Sequence, residues 1–155
     1  MKLNYICVVT LLCLFYLDGT TSFYYQKKET ACHRELRIYR QDPNVPGRRI
    51  PVCDSAGNYA PKQCSGSQCY CVLKNGTIIS GFSVNRWEAD NQTCYCAREQ
   101  AEYKATGLIG KMFRCTNDGS YDPIQCTGSQ CYCADQHGKQ IGKSVHLTQM
   151  NSLNC

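Results

Sequence analysis

The sequence predicts a small disulfide-rich α+β protein made of two tandem copies of one module, each a short helix followed by a small antiparallel hairpin. Three observations carry that expectation. The 155-residue chain holds 14 cysteines, a density typical of short secreted scaffolds rather than of thiol-reduced cytosolic enzymes. The last twelve of them fall into two sets of six with the same central spacing. Each set spans about 60 residues, too few for a hydrophobic core to hold without covalent help.

The N-terminus accounts for the other two cysteines. Met1-Lys2 leads into an apolar run, Tyr5 to Leu17, and then into polar small residues, Asp18 to Ser22. This is the layout of a secretory signal peptide over residues 1–22, and the run is short for a membrane span. Cleavage after Ser22 removes Cys7 and Cys13, leaving an even set of twelve. Residues 23–31 then form an N-terminal tail, in which Lys27-Lys28 reads first as an exposed dibasic pair and, as the alternative, as a site for trimming a short propeptide, 23–28. No later segment reads as a membrane span, so a secreted, extracellular product is expected. The formal net charge of +5 comes from scattered basic residues, which gives no footprint for a nucleic-acid partner.

The duplication is explicit. The spacing C-x20-C-x10-C-x4-C-x-C-x22-C over Cys32–Cys94 returns as C-x18-C-x10-C-x4-C-x-C-x21-C over Cys96–Cys155. Gly57-Asn-Tyr-Ala-Pro-Lys-Gln-Cys64 matches Gly119-Ser-Tyr-Asp-Pro-Ile-Gln-Cys126, and Cys-Tyr-Cys closes both central segments at Cys71 and Cys133. Modules at 32–94 and 96–155 follow, with only Tyr95 between them. Their length differences fall within Cys32–Cys53 and Ile79–Gly81, which are expected to be surface loops. The unchanged centre is expected to be the packed part.

Each module should open with a helix. Cys32, Leu36 and Tyr39 recur at i, i+4 and i+7, and the run from Cys96 to Ala105 is richer in helix formers, so the second helix should be the better formed. Gly57-Asn58 and Gly119-Ser120 mark a turn before the Tyr-x-Pro segment. Lys74-Asn75-Gly76-Thr77 reads as a tight turn joining strands Cys69–Leu73 and Thr77–Ile79, with His137-Gly138 at the same point of the second copy. The rest reads as loop. Cys69 and Cys71 share one face of a strand with Tyr70 on the other, so they are better placed to bond two partners than each other. Six cysteines allow 15 pairings, and spacing alone does not choose among them.

Catalytic chemistry finds little support. His33, His137 and His146 read as lone surface histidines with no nucleophile motif beside them, so no catalytic residue, cofactor or metal is expected. The paired C-x-C segments could suggest zinc, but twelve evenly organised cysteines in a secreted chain read as disulfides. Asn75-Gly-Thr77 and Asn91-Gln-Thr93 are N-glycosylation acceptor sequences. Arg48-Arg49 looks like a processing pair, yet cleavage there would nick a stapled loop without releasing it.

The combination G-x-Y-x-P-x-Q-C, then C-Y-C and a following glycine, resembles the thyroglobulin type-1 domain over nearly all of the mature chain. The resemblance implies pairing first to second, third to fourth and fifth to sixth: Cys32–Cys53, Cys64–Cys69 and Cys71–Cys94, then Cys96–Cys115, Cys126–Cys131 and Cys133–Cys155. It also implies a helix-plus-hairpin wedge with three disulfide-closed loops per module. Two departures stand out. Tyr70 and Tyr132 replace the family's usual Trp, which keeps the aromatic face and adds a hydroxyl. The loops Ser65-Gly66-Ser67-Gln68 and Thr127–Gln130 are shorter than in many members.

What the resemblance implies for function is reversible inhibition of papain-like cysteine proteases by a wedge whose ordering cost is met before binding. An extracellular or lysosomal-type cysteine protease is the expected protein partner, and a monomer is expected. With a leader and two modules filling the chain, the free-standing inhibitors are the expected comparison. The alternative is a non-inhibitory extracellular binding module, or a secreted effector such as a venom component. Protease-binding candidates are Pro46, Gly47, Arg48 and Arg49, on the loop entering the second cysteine, with Ser65, Gly66, Ser67 and Gln68. The proline-restricted loop of the first module is expected to dock better than Gly107–Arg114 of the second, which has two glycines and no proline.

Overall fold

The structure, a computed structural model, describes residues 28–45 and 49–155. The expected signal peptide, Cys7, Cys13 and Lys27 lie outside the described residues, as do Pro46, Gly47 and Arg48. The first module runs α1 (Ala31–Gln41), β1 (Lys62–Ser65), β2 (Gln68–Val72), β3 (Ile78–Asn85) and a 3-10 turn at Arg86–Glu88. The second repeats it as α2 (Tyr95–Ala105), β4 (Ile124–Thr127), β5 (Gln130–Ala134), β6 (Gln140–His146) and a 3-10 turn at Leu147–Ser152. Each module carries one antiparallel three-stranded sheet, ordered β1-β2-β3 and β4-β5-β6.

Six disulfides join Cys32 to Cys53, Cys64 to Cys69, Cys71 to Cys94, Cys96 to Cys115, Cys126 to Cys131 and Cys133 to Cys155. The C-x-C cysteines therefore bond in different directions. Cys69 ties β2 to β1 at the tip of the hairpin, while Cys71 ties it to the chain just before α2. Cys69, Cys71 and Val72 are among the most buried side chains, which puts the core at the invariant centre of the module.

Three expectations need correction. The helices are equally long at eleven residues each, because α1 has a side-chain cap that offsets its poorer composition: Thr30 Oγ1 accepts from His33 N at 3.3 Å. The cap position of α2 is Cys94, left-handed at φ 62° with no side-chain cap. Next, residues read as loop form a third strand per sheet, β1 and β4, paired across two-residue turns at Gly66-Ser67 and Gly128-Ser129. Four-residue strands with mixed burial carry too short a pattern to be seen in sequence. Finally, the length change at Ile79–Gly81 lies inside β3, not in a loop. Pairing jumps from Val72↔Ile78 to Tyr70↔Ser83, but only from Cys133↔Ile141 to Cys131↔Val145 in the second module. A bulge absorbs the extra residue while the register on either side is kept.

The second module is built onto the first. Ala97, one turn into α2, packs against the Cys71–Cys94 pair with Ile79 and Phe82 of β3 beside it. Gln92 Nε2 donates to Asp118 O at 2.9 Å, and Thr93 N to Ser120 Oγ at 2.9 Å. Arg98 crosses the joint, with Nε on Val72 O at 2.7 Å and Nη2 on Tyr59 O at 2.8 Å. Among the described residues no helix is long and apolar enough to cross a membrane.

Candidate functional site

The signature glutamine explains how the loop entering the second cysteine is held. Gln63 is 1% exposed. Its Nε2 donates to Val52 O at 2.7 Å and Ala60 O at 3.0 Å, and its Oε1 accepts from Val52 N at 3.0 Å. Gln125 repeats this with Arg114 O at 2.7 Å, Asp122 O at 2.8 Å and Arg114 N at 3.2 Å. An amide side chain is both donor and acceptor, so one residue pairs both backbone groups of the residue preceding Cys53 or Cys115. A shorter or charged side chain would leave one of them bare.

A second clamp holds the same loop against the helix. Arg49 Nε donates to Glu35 Oε1 at 3.0 Å, and its Nη1 donates to Tyr70 OH at 3.0 Å. The Tyr59 hydroxyl also donates to Glu35. Burial pushes the Glu35 carboxyl up, but the Arg49 and Tyr59 hydrogen bonds and the Arg49 charge outweigh it and hold it below the ordinary value. The tyrosine in the family's Trp position thus supplies an acceptor that indole lacks. In the second module Glu99 pairs with Lys111 and accepts from Tyr121 OH. Lys111 Nζ lies over Phe113 at 4.7 Å from its centroid, and Phe113 meets Tyr103 at 5.6 Å.

The candidate docking residues separate into three groups. Pro46, Gly47 and Arg48 lie outside the described residues. Gly66, Ser67 and Gln68 are exposed at a hairpin tip with Ser65 half-buried; Ser65 pairs with Gln68, and the Cys64–Cys69 bridge closes the turn behind them. Arg49 is different. Its guanidinium hydrogen-bonds Glu35 and Tyr70, which ties this part of the loop to the helix and the sheet.

The glycosylation candidates are both exposed. Asn75 Oδ1 caps its turn by accepting from Thr77 N at 3.0 Å, whereas Asn91 sits at the module joint, with its carbonyl 3.5 Å from Ser120 Oγ. His33 and His137 are exposed on a helix and in a turn, and His146 ends β6.

Sequence reasoning missed three features. The Glu35–Arg49–Tyr70 clamp joins residues 14 and 21 apart, a distance no local pattern reports. Arg98 reads like any helical surface arginine. The loop Gly107–Phe113 of the second module presents Leu108, Ile109 and Met112 at 64%, 95% and 72% exposure. Its glycines adopt φ 73° at Gly107 and 107° at Gly110, so they set turns that other residues would resist.

A thyroglobulin type-1 repeat profile matches residues 25–91 and again 98–155. The chain is 31% identical over 134 residues to U20-hexatoxin-Hi1a of Hadronyche infensa, covering 84% of this chain and 88% of the toxin. It is 31% identical over 109 residues to equistatin of Actinia equina, 61% of this chain and 45% of that protein. Thyroglobulin of Sus scrofa is 30% identical over 100 residues, which is 59% of this chain but 4% of thyroglobulin. The chain thus spans most of the hexatoxin, under half of equistatin and a small fraction of thyroglobulin. Six disulfides and these relatives fit an oxidising, extracellular setting.

Proposed function

The chain belongs to the thyroglobulin type-1 repeat family, and from that premise we propose that it is a secreted, reversible inhibitor of papain-like cysteine proteases. It performs no chemistry of its own. It occupies the active-site cleft with a disulfide-stapled edge formed by Pro46, Gly47 and Arg48 together with the Ser65–Gln68 turn. One observation carries this reading: the loop entering Cys53 is tied at its base by the Cys32–Cys53 bridge, by Gln63 on Val52, and by Glu35 and Tyr70 on Arg49. Each side chain held at the base, as Arg49 is, saves about 0.5–1.5 kcal/mol of ordering cost when the loop docks. Arg49 acts through the loop and need not touch the protease. Glycans at Asn75 and Asn91 are part of the same proposal for the secreted form.

The experiment is a titration of the oxidised mature chain against papain-like, aspartic and serine proteases. Reversible inhibition of the first class alone supports the reading. The extensive match to a hexatoxin favours a second reading, a secreted effector that binds another extracellular protein. Absence of inhibition across the panel, with all six disulfides formed, would select it.

A further inference from the structure

A groove of about 750 Å³ lies where the first module meets the second, with Tyr95 and Gln136 among its lining residues. It borders the Ser65–Gln68 turn, but what lines it is not explained by protease docking. It contains Lys62 and Arg86 and no carboxylate at all. Lys62 Nζ donates to Ala89 O at 2.8 Å and Arg86 Nε to Gly66 O at 2.9 Å. Those partners are neutral carbonyls, and neither cation is in an ion pair among the described residues. Both keep further N–H donors. Arg49, the other cation in the lining, is already neutralised by Glu35.

A further observation indicates what the groove accepts. Ile50 and Val52, 54% and 53% exposed, add aliphatic surface beside the cations.

We propose that this groove binds an extended peptide segment of a partner protein that carries carboxylate side chains interspersed with aliphatic ones. Carboxylates pair with Lys62 and Arg86, and aliphatic side chains cover Ile50 and Val52. A sulfated glycan would satisfy the cations but leave the aliphatic surface uncovered. Tyr95 and Gln136 add to the wall of the groove, while the residues that meet the peptide all belong to the first module.

The test uses the whole oxidised chain and a fluorescein-labelled peptide of about ten alternating Glu and Leu residues, followed by fluorescence anisotropy. The same peptide with Gln for Glu, and sulfated glycosaminoglycan chains, are the comparators. The acidic peptide is expected to bind about tenfold more tightly than its Gln version, and that advantage should vanish in the double variant Lys62→Glu, Arg86→Glu. Val52→Ser should weaken it about threefold. Absence of free thiols and an unchanged far-UV circular dichroism spectrum check that each variant is folded. Equal binding of the two peptides, indifference to the double variant, binding of the glycan alone, or no saturation below about 1 mM overturns the proposal. Because no protease is involved, the result stands whether or not the chain inhibits one.

Discussion

Arg34 and Arg98 occupy the same helical position in the two modules and do opposite things. Arg34 is exposed and lies 3.8 Å from Glu29 on the surface. Arg98 is 7% exposed and spends its guanidinium on the carbonyls of Val72 and Tyr59 in the other module. Burial pulls its pKa down, though an arginine remains charged regardless. Gly57 and Gly119 differ in the same way. A Cβ on Gly57 would meet Thr30 Cγ2 at 2.8 Å and Oγ1 at 2.9 Å within its own module, whereas one on Gly119 would meet Cys71 Sγ at 2.6 Å and Ala97 Cβ at 3.0 Å. The duplicated scaffold is one object with two sets of neighbours. The end that is free in the first copy is the docking face of the second.

The largest effect should come from the glycines. Gly119→Ala drives a Cβ into a disulfide and a helix at φ 85°, and should cost about 3 kcal/mol or more. Gly57→Ala carries the same backbone penalty but crowds the Thr30 cap rather than a disulfide and a helix, and should cost less, about 2 kcal/mol. Chemical denaturation of the oxidised chain measures both, and equal losses would contradict the account of the joint. The arginines come next. Arg98→Ala removes two charge-assisted hydrogen bonds and leaves carbonyls unpaired, an expected loss of about 3 kcal/mol. Arg34→Ala should stay within about 0.5 kcal/mol.

Smaller effects separate the two loop clamps. Arg49 grips Glu35 through Nε and Nη2 and reaches Tyr70 through Nη1, a geometry that lysine cannot copy. Arg49→Lys should therefore cost about 1 kcal/mol and speed hydrogen exchange at Ile50 and Val52. The reciprocal Lys111→Arg should change stability by no more than about 0.5 kcal/mol. A pH dependence follows from Glu35. Its folded pKa lies below the ordinary 4.5, so its stabilisation is complete above that value and is lost as pH falls below it through the folded pKa. In melting curves taken across the acid range, Glu35→Gln should flatten this loss. An unchanged acid limb would mean that the clamp contributes nothing.

How much of this was readable beforehand depends on the range over which each feature is encoded. The two modules are written in Gly57–Cys71 and Gly119–Cys133, because one short segment holds the turn, the glutamine stitch and three cysteines. The helices were readable from Cys32, Leu36 and Tyr39, but their relative quality was not, since Thr30 outside the helix decides it. The clamp is not visible in the sequence: the extra hydroxyl of Tyr70 is, but its partner Arg49 sits 21 residues upstream. Nothing local distinguishes Arg98 from Arg34, because burial of the former is produced by the module that precedes it in the chain. The bulge in β3 was mistaken for loop variation because an inserted residue in a strand and one in a loop look the same in sequence.

The proposed inhibition rests on the docking edge of the first module, whose base is tied at Arg49 and Val52. The most direct measurement is the inhibition constant of the whole oxidised chain and of two loop variants, one with residues 43–48 replaced by Gly-Ser and one with 107–112 replaced in the same way. Arg49 and its clamp are left intact in the first variant, so a loss there reports the docking edge itself. Inhibition should be reversible, should fall by at least about tenfold when 43–48 is replaced, and should persist when 107–112 is replaced. Inhibition that survives the first replacement and disappears with the second would contradict it, as would cleavage of the intact chain as an ordinary substrate.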